Sequence, residues 1–427
     1  MDCSAKQITN KKTGTFLLIF LGWLVYAVSY FGKVNYSANI TQVIEYYGVT
    51  KAQAGIAPTF FFFAYGIGQV FNGLFCKRYN IKFTVFISLA ISAIINLTIA
   101  VTSSFWIIKW LWMINGFALS ILWPTLVRLL AEVLPKKDLE KSSVVMGTTV
   151  ATGTLIIYGL SSIFVAFDNF KLAFYTASFS AIIVAVIWLI LYKNAVQNAK
   201  FEKIAEDKNT EQTCKEINQE KKREISGKRI FYIAFCILCF CAIGVNLIKD
   251  GLTTWVPSIL KEEFNVTDSI SILLTLFLPI LAVFGNLCAI KVHNKIPDYI
   301  SHCATIFAVI LVFIGIIIGS LKFEIAILML VGLILVNFFA SSLNSLITSI
   351  FPMFMREYVN SGMCAGILNG FCYIGSTISS YGLGVIADNF GWVSVFYVLA
   401  AFCVAVCVVY AVYKLIKKFS KDAFTYN

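Results

Sequence analysis

The sequence predicts an all-α membrane protein of about twelve transmembrane helices in two pseudo-symmetric six-helix bundles. Three observations predict it. The composition is too apolar for a water-facing surface, apolar runs of spanning length recur on both sides of one charged stretch, and short motifs in the first half reappear in the second at nearly constant offset.

Of 427 residues, 59% are hydrophobic and 13% charged, where a soluble domain carries about 25% charged residues. The surplus apolar side chains must face lipid. Phenylalanine occurs 38 times and proline only 7 times, which suits long uninterrupted helices. A spanning helix needs about 20 apolar residues. Such runs fall near 14–44, 52–75, 83–102, 105–133, 142–167 and 171–192, and again near 229–260, 269–290, 299–320, 324–353, 361–386 and 392–415. The first follows Lys11 and Lys12 but is too long for a signal peptide and lacks a small-residue cleavage site, so it reads as a span.

Between the two sets, residues 193–228 are dense in charge of both signs, from Lys200 and Glu202 to Arg223 and Glu224. This stretch reads as a solvated cytoplasmic linker, giving an N-terminal bundle over 1–192 and a C-terminal bundle over 229–427. Loop charge sets the orientation. Lys77, Arg78 and Lys82, then Lys136, Lys137 and Lys141, then the linker, Lys291, Lys295, Lys414 and Lys421 lie on one side, and loops such as Asp168-Asn169 and Asp388-Asn389 lie on the other. The asymmetry predicts a multi-pass protein of the cytoplasmic membrane with both termini in the cytoplasm.

The halves echo each other. Asp168-Asn169-Phe170 recurs as Asp388-Asn389-Phe390, each before the last helix of its half, and Val49-Thr50 recurs as Val266-Thr267, each before the second helix. The threonines suit helix N-caps. Lys33 on the first helix and Lys249 on the seventh form a third pair. Lys33 lies as far beyond Lys12 as Lys249 lies beyond Lys228.

These two lysines are the leading site candidates, because a charge inside a membrane helix costs at least ~2.5–3.5 kcal/mol and marks function by default. The alternative is that each snorkels to a surface. Lys33 is roughly 30 Å along the helix from Lys12, near the far edge of a bilayer, yet uncharged residues continue beyond it to Ile44. Helical spacing puts Tyr26, Tyr30, Lys33 and Ser37 on one face of helix 1, and Asn246, Lys249 and Thr253 on one face of helix 7, with Asp250 beside Lys249. Asn337, Ser341 and Asn344 align on helix 10, and Asn369, Tyr373 and Thr377 on helix 11. In lipid such polar stripes turn inward, either to a cavity or to interhelical hydrogen bonds. Arg128 and Glu132, spaced i,i+4, read as a structural pair, and the glycines from Gly362 to Gly375 as close helix contacts.

Other functions are excluded on the same ground. The net charge of +12 resides in short loops, so no nucleic-acid partner is expected. The 12 cysteines, among them Cys236, Cys239, Cys241 and Cys372, and the 2 histidines, His293 and His302 in or beside a loop, show no metal-ligand spacing. No nucleophile–base constellation or cofactor motif points to an enzyme.

Several stretches resemble the organophosphate:phosphate antiporter (glycerol-3-phosphate transporter-like) family of the major facilitator superfamily. They are Tyr65-Gly66 and Gly73; Gly116 to Arg128 with Trp123-Pro124; Gly251 to Glu262 with Trp255, Pro257, Leu260 and Lys261; and Ser361 to Trp392 with Ala365-Gly366, Tyr373, Gly375, Asp388 and Gly391-Trp392. The similarity runs along most of the chain apart from the linker. It implies the major facilitator fold and two arginines, on helices 1 and 7, that clamp substrate phosphate. Lys249 occupies the helix 7 position by register, and Lys33 falls at or within one residue of the helix 1 position. Lysine keeps the charge but is not a bidentate fork. The family's helix 5 histidine is absent, with Val150 or a neighbour near its place, and Lys77 stands where the superfamily has Asp after helix 2.

The expected function is secondary transport, by alternating access, of a small organic anion such as a phosphorylated metabolite, with inorganic phosphate as counter-substrate. Lys33, Lys249, Tyr26, Tyr30, Asn246, Asn344, Asn369 and Tyr373 are the expected substrate-binding residues and Asp250 the coupling candidate. No cofactor or metal is expected, and the protein is expected to work as a monomer in the lipid bilayer. Two alternatives stay open: a proton-coupled carrier using Lys249 and Asp250, and a transporter-like membrane sensor.

Overall fold

The computed structural model describes residues 2–75, 78–210, 228–293, 298–355 and 361–419. Lys77, Lys295 and Lys421 of the basic loops, and 211–227 of the central stretch, lie outside the described residues. The helices are α1 Asp2–Ala38, α2 Ile40–Tyr47, α3 Lys51–Phe75, α4 Ile81–Val101, α5 Phe105–Ser120, α6 Leu122–Val133, α7 Lys136–Gly147, α8 Thr149–Ala166, α9 Lys171–Thr210, α10 Lys228–Phe264, α11 Asp268–Thr275, α12 Phe277–His293, α13 Tyr299–Lys322, α14 Ala326–Ser345, α15 Phe351–Phe354 and α16 Ser361–Phe419. Among the described residues eleven helical stretches are long and apolar enough to cross a membrane, and the last, Met363–Ile416, holds two spans. Gly391, at φ 76° and ψ 172°, breaks α16 between them, a conformation that glycine adopts without steric cost. Twelve spans result, as composition predicts.

The spans are less uniform than hydropathy suggests. The first is interrupted at Asn39, whose side-chain amide donates to Asn35 O at 2.8 Å and Ser161 Oγ at 3.0 Å, a local alternative to the helix ladder. The fourth, fifth and eighth break at Ile121, Thr148 and Leu276, and the tenth passes through a π turn over Leu346–Ile350. The sixth runs on to Thr210, beyond the expected end at 192. Charge alone does not end a helix, and the Ala, Lys and Glu residues there are good helix formers.

Proline is accommodated by donation from neighbours. A helical proline leaves the carbonyl four residues earlier without its amide partner. For Pro58 that carbonyl is Ala54 O, which accepts from Tyr36 Oη at 2.9 Å. For Pro124 it is Ser120 O, which accepts from Gln69 Nε2 at 3.2 Å, and for Pro257 it is Thr253 O, with Tyr158 Oη at 3.5 Å. Tyr36 and Tyr158 are both buried, so each hydroxyl answers an otherwise orphaned acceptor.

The expected caps and glycine contacts divide. Thr50 forms a capping box with Gln53, through Thr50 N to Gln53 Oε1 at 3.0 Å and Gln53 N to Thr50 Oγ1 at 3.2 Å. Thr267 precedes α11, but its side chain makes no cap bond. Gly375 lies against the Ile243 carbonyl, where any side chain would collide with backbone, whereas Gly366 faces open space and serves no close contact. The repeated Asp-Asn-Phe motif also takes two forms. Asp168 sits in a turn with φ 56°, while Asp388 stays helical.

Large side chains such as Ile327, Phe167 and Phe16 are well exposed on the outside, where only hydrocarbon could receive them. Inside, amides bridge helices. Asn35 Nδ2 donates to Asn96 Oδ1 at 2.8 Å, Asn115 Nδ2 to Gly32 O at 2.7 Å, and Asn337 Nδ2 to Leu278 O at 2.9 Å. Asn337 is thus a packing residue rather than part of a cavity stripe. His302 is buried in the first turn of α13.

The first six spans meet the last six at one end of the molecule. Asp388 accepts from the backbone amides of Lys51 at 3.1 Å and Ala52 at 2.7 Å, capping α3 from across the interface. Lys51 Nζ lies 2.9 Å from Glu262 Oε2 and 3.8 Å from Asp388 Oδ1. Trp392 Nε1 donates to Glu262 Oε2 at 2.9 Å. Lys261 joins Glu45 to Asp268, the latter at 2.8 Å. Thr41 bonds to Ser258 at 3.2 Å and Ser162 to Ser269 at 3.0 Å. Gly55 and Gly384 permit the approach, facing the Ser380 and Lys51 carbonyls.

Candidate functional site

Behind this closed end lie the residues singled out by the sequence. Tyr26, Tyr30 and Lys33 follow one another along the inner face of α1. The Lys33 ammonium stands 5.0 Å from the Tyr30 ring centroid, 4.2 Å from that of Tyr65 on α3 and 5.8 Å from that of Tyr373 on α16. The Tyr65 and Tyr373 rings are themselves 4.9 Å apart. They meet because Gly66 has no Cβ, which would lie 2.7 Å from the Tyr373 Cβ. Tyr26 packs on Tyr30 at 5.6 Å and on Trp123 at 4.8 Å. Lys33 therefore points between the two sets of spans, and the negative ring faces hold the ammonium there.

On α10 the Lys249 ammonium lies 3.5 Å from Asp250 Oδ1, with 27% and 18% of the two side chains exposed. Asp250 Oδ2 accepts from Ser376 Oγ at 2.5 Å and Asn246 Nδ2 at 3.2 Å. Asn246 Oδ1 accepts from Asn344 Nδ2 at 2.6 Å, and Thr348 Oγ1 reaches Asn344 Oδ1 at 3.4 Å. Three elements, α10, α14 and α16, thus share one polar network. Lys33, Tyr373 and Asp250 lie within electrostatic reach of one another, which joins the two groups into one site.

Eight of the nine predicted residues are brought together. Asn369 lies one turn before Tyr373 on α16 and is half-buried, with no side-chain hydrogen bond to the other eight among the described residues. Thr253, aligned with Lys249 by spacing, donates back to Lys249 O at 2.8 Å instead. The structure gives each lysine a partner: aromatic faces for Lys33, and for Lys249 the neighbouring Asp250 carboxylate. Sequence reasoning assigned no site role to Tyr65, Trp123 or Ser376. The signal for Tyr65 was the adjacent Gly66, a notch beside an aromatic residue. Arg128 pairs with Glu132 at 2.6 Å and reaches Tyr79 O at 3.3 Å, holding the turn before α4 as a structural pair would. No group of His, Cys, Asp or Glu that could hold a metal ion occurs among the described residues.

A bundle of twelve spans with one buried, charged and aromatic site between two sets of six defines a membrane transporter. The chain belongs to the Major Facilitator Superfamily, whose pattern it matches over residues 22–363. It is 22% identical to a probable hexose phosphate transport protein of Chlamydia trachomatis, over 93% of this chain and 89% of that protein. It is 26% identical to the glycerol-3-phosphate transporter of Bacillus subtilis, over 63% of this chain and 62% of that protein. Among solved structures it resembles a bacterial homologue of the human lysosomal transporter Spinster, with TM-score 0.71 and 13% identity over 96% of this chain and 98% of that one. That likeness is one of fold.

Proposed function

We propose that the chain exchanges a small phosphorylated metabolite for inorganic phosphate across the cytoplasmic membrane by alternating access. The observation that carries this reading is Lys33, a lysine within a membrane span whose ammonium rests on Tyr65 and Tyr373, one from each set of spans. Lys249 supplies the second positive group, and both side chains of the Lys249–Asp250 pair are partly exposed. The names of the relatives, hexose phosphate and glycerol-3-phosphate carriers, agree with an anionic substrate.

In this reading Lys33 and Lys249 attract the anion, Tyr26, Tyr30, Tyr65 and Tyr373 close around it, and Asn246 and Asn344 orient it. Bundles 1–192 and 229–427 rock about the site, joined by the 193–228 stretch in the cytoplasm, where both termini also lie. The closed end then faces outward, and water reaches the site from the cytoplasm. The protein works as a monomer. Proteoliposomes loaded with phosphate test it. Uptake of a labelled phosphate ester should require internal phosphate. Failure to move any phosphate ester, phosphate or other organic anion refutes the reading.

The Lys249–Asp250 pair favours a second reading, a proton-coupled carrier in which that pair titrates. Uptake driven by a pH gradient without counter-substrate would select it, and ligand binding without flux would point to a sensor.

A further inference from the structure

Resting on the organophosphate reading, we infer that Asp250 is a specificity-determining residue: as resident counter-anion to Lys249 it leaves the site one net positive charge and selects a singly charged tetrahedral anion over a doubly charged one. The geometry is that of an ionised carboxylate. Ser376 Oγ and Asn246 Nδ2 converge on Oδ2, at 2.5 and 3.2 Å, and the Lys249 ammonium faces Oδ1 at 3.5 Å. All three are donors, and only an acceptor-only group satisfies all of them.

The surrounding charges are few. Lys33 from α1, Lys249 from α10, and Cys372 and Tyr373 from α16 lie within electrostatic reach of Asp250. From α14 comes Asn344, which is uncharged. A thiol and a phenol are neutral at neutral pH, so among the described residues two ammonium groups and one carboxylate set the charge. A monoanion makes the closed site neutral. A dianion leaves one charge unpaired in a cavity that must shed water to close, which is the costly case.

Asn at position 250 keeps the side-chain shape and an oxygen for Ser376 while raising the site charge by one. The test pairs glycerol 3-phosphate and a hexose 6-phosphate with the sulfate esters of the same alcohols, read by thermal stabilisation of the purified full chain. A sulfate ester stays singly charged, whereas a phosphate ester gains its second charge near pH 6. For the wild type, apparent affinity for the phosphate esters should fall about tenfold between pH 5.5 and 8 while that for the sulfate esters stays level. Asp250→Asn should raise the phosphate-to-sulfate affinity ratio at pH 8 by about tenfold or more. The double variant Lys249→Gln/Asp250→Asn, which restores one net positive charge and leaves no unpaired group, should return the ratio to the wild-type value. Ser376→Ala, which removes a donor without changing charge, should leave the ratio unchanged. Stabilisation by the esters with the same ratio in wild type and Asp250→Asn overturns the inference alone. Should Asp250→Asn not fold, a double variant whose ratio departs from wild type does the same. Stabilisation by none of the four probes overturns the organophosphate reading together with it.

Discussion

Asp388→Ala should release the closed end. In the structure this carboxylate accepts from two amides at the N-terminus of α3, at 3.1 and 2.7 Å, and stands 3.8 Å from the Lys51 ammonium. A hydrogen bond to a charged group contributes about 1.5–3 kcal/mol, and a helix N-terminus adds ~0.3–1 kcal/mol for an anion. Two effects reduce the sum. The freed amides find water once the end opens, and Asp388 is 21% exposed, so the Lys51 ion pair itself contributes only ~0–1 kcal/mol. A net loss of about 2 kcal/mol is reasonable, which shifts the closed-to-open ratio roughly 30-fold. Amide hydrogen exchange measures it. Loss of the cap alone would speed exchange at Lys51 and Ala52. Opening would also speed it across 41–59 and 253–262, where the Thr41–Ser258 and Tyr158–Thr253 bonds cross between the two sets of spans. If faster exchange is confined to the first turn of α3, Asp388 is a helix cap and not a latch.

Other outcomes follow from the same reasoning. Lys33→Arg should keep uptake, because a guanidinium also sits on tyrosine faces, while Lys33→Glu should abolish it; normal uptake by Lys33→Glu, at equal surface expression, removes the paired-cation site. Lys249→Ala should lose transport with little loss of stability, because Asp250 retains its Asn246 and Ser376 donors; an uptake assay beside a melting curve separates the two effects. Tyr36→Phe should destabilise by about 1–3 kcal/mol by orphaning Ala54 O, and adding Pro58→Ala should recover much of that by restoring the helical amide; thermal unfolding of the four proteins completes the cycle. Gly375→Val should prevent folding because the new side chain meets the Ile243 carbonyl, while Gly366→Ala, in open space, should be neutral or slightly stabilising; expression and fluorescence-detected gel filtration distinguish them.

The chain's architecture was written in its local chemistry. Apolar run length counted twelve spans, because crossing hydrocarbon requires about 20 apolar residues whatever the neighbours are. A lone lysine within such a run identified Lys33 and Lys249 for the same reason, since an unexplained charge in lipid is costly wherever it sits. Helical spacing put Tyr26 and Tyr30 on the face of Lys33 without tertiary information, and the Pro, Gly and Thr signals were visible as residue types.

What those residues meet was settled by packing between segments far apart in the chain. Tyr65 and Tyr373 close on Lys33 because Gly66 lets α3 and α16 approach, and nothing near Lys33 in sequence encodes that. The two threonines in matching Val-Thr dyads look alike, yet only Thr50 has a Gln three residues on to complete its cap. Gly366 and Gly375 are equally small, but only one faces a carbonyl. Asp388 marked an internal repeat, and its capping of α3 depends on a residue hundreds of positions away. Asp250 read as a neighbour of Lys249, and its acceptance from Ser376 on another helix depends on how α10 packs on α16. Burial cost acts on each residue alone and is legible in one dimension, whereas the donor that answers a buried charge is a property of pairs, and only the folded bundle chooses them.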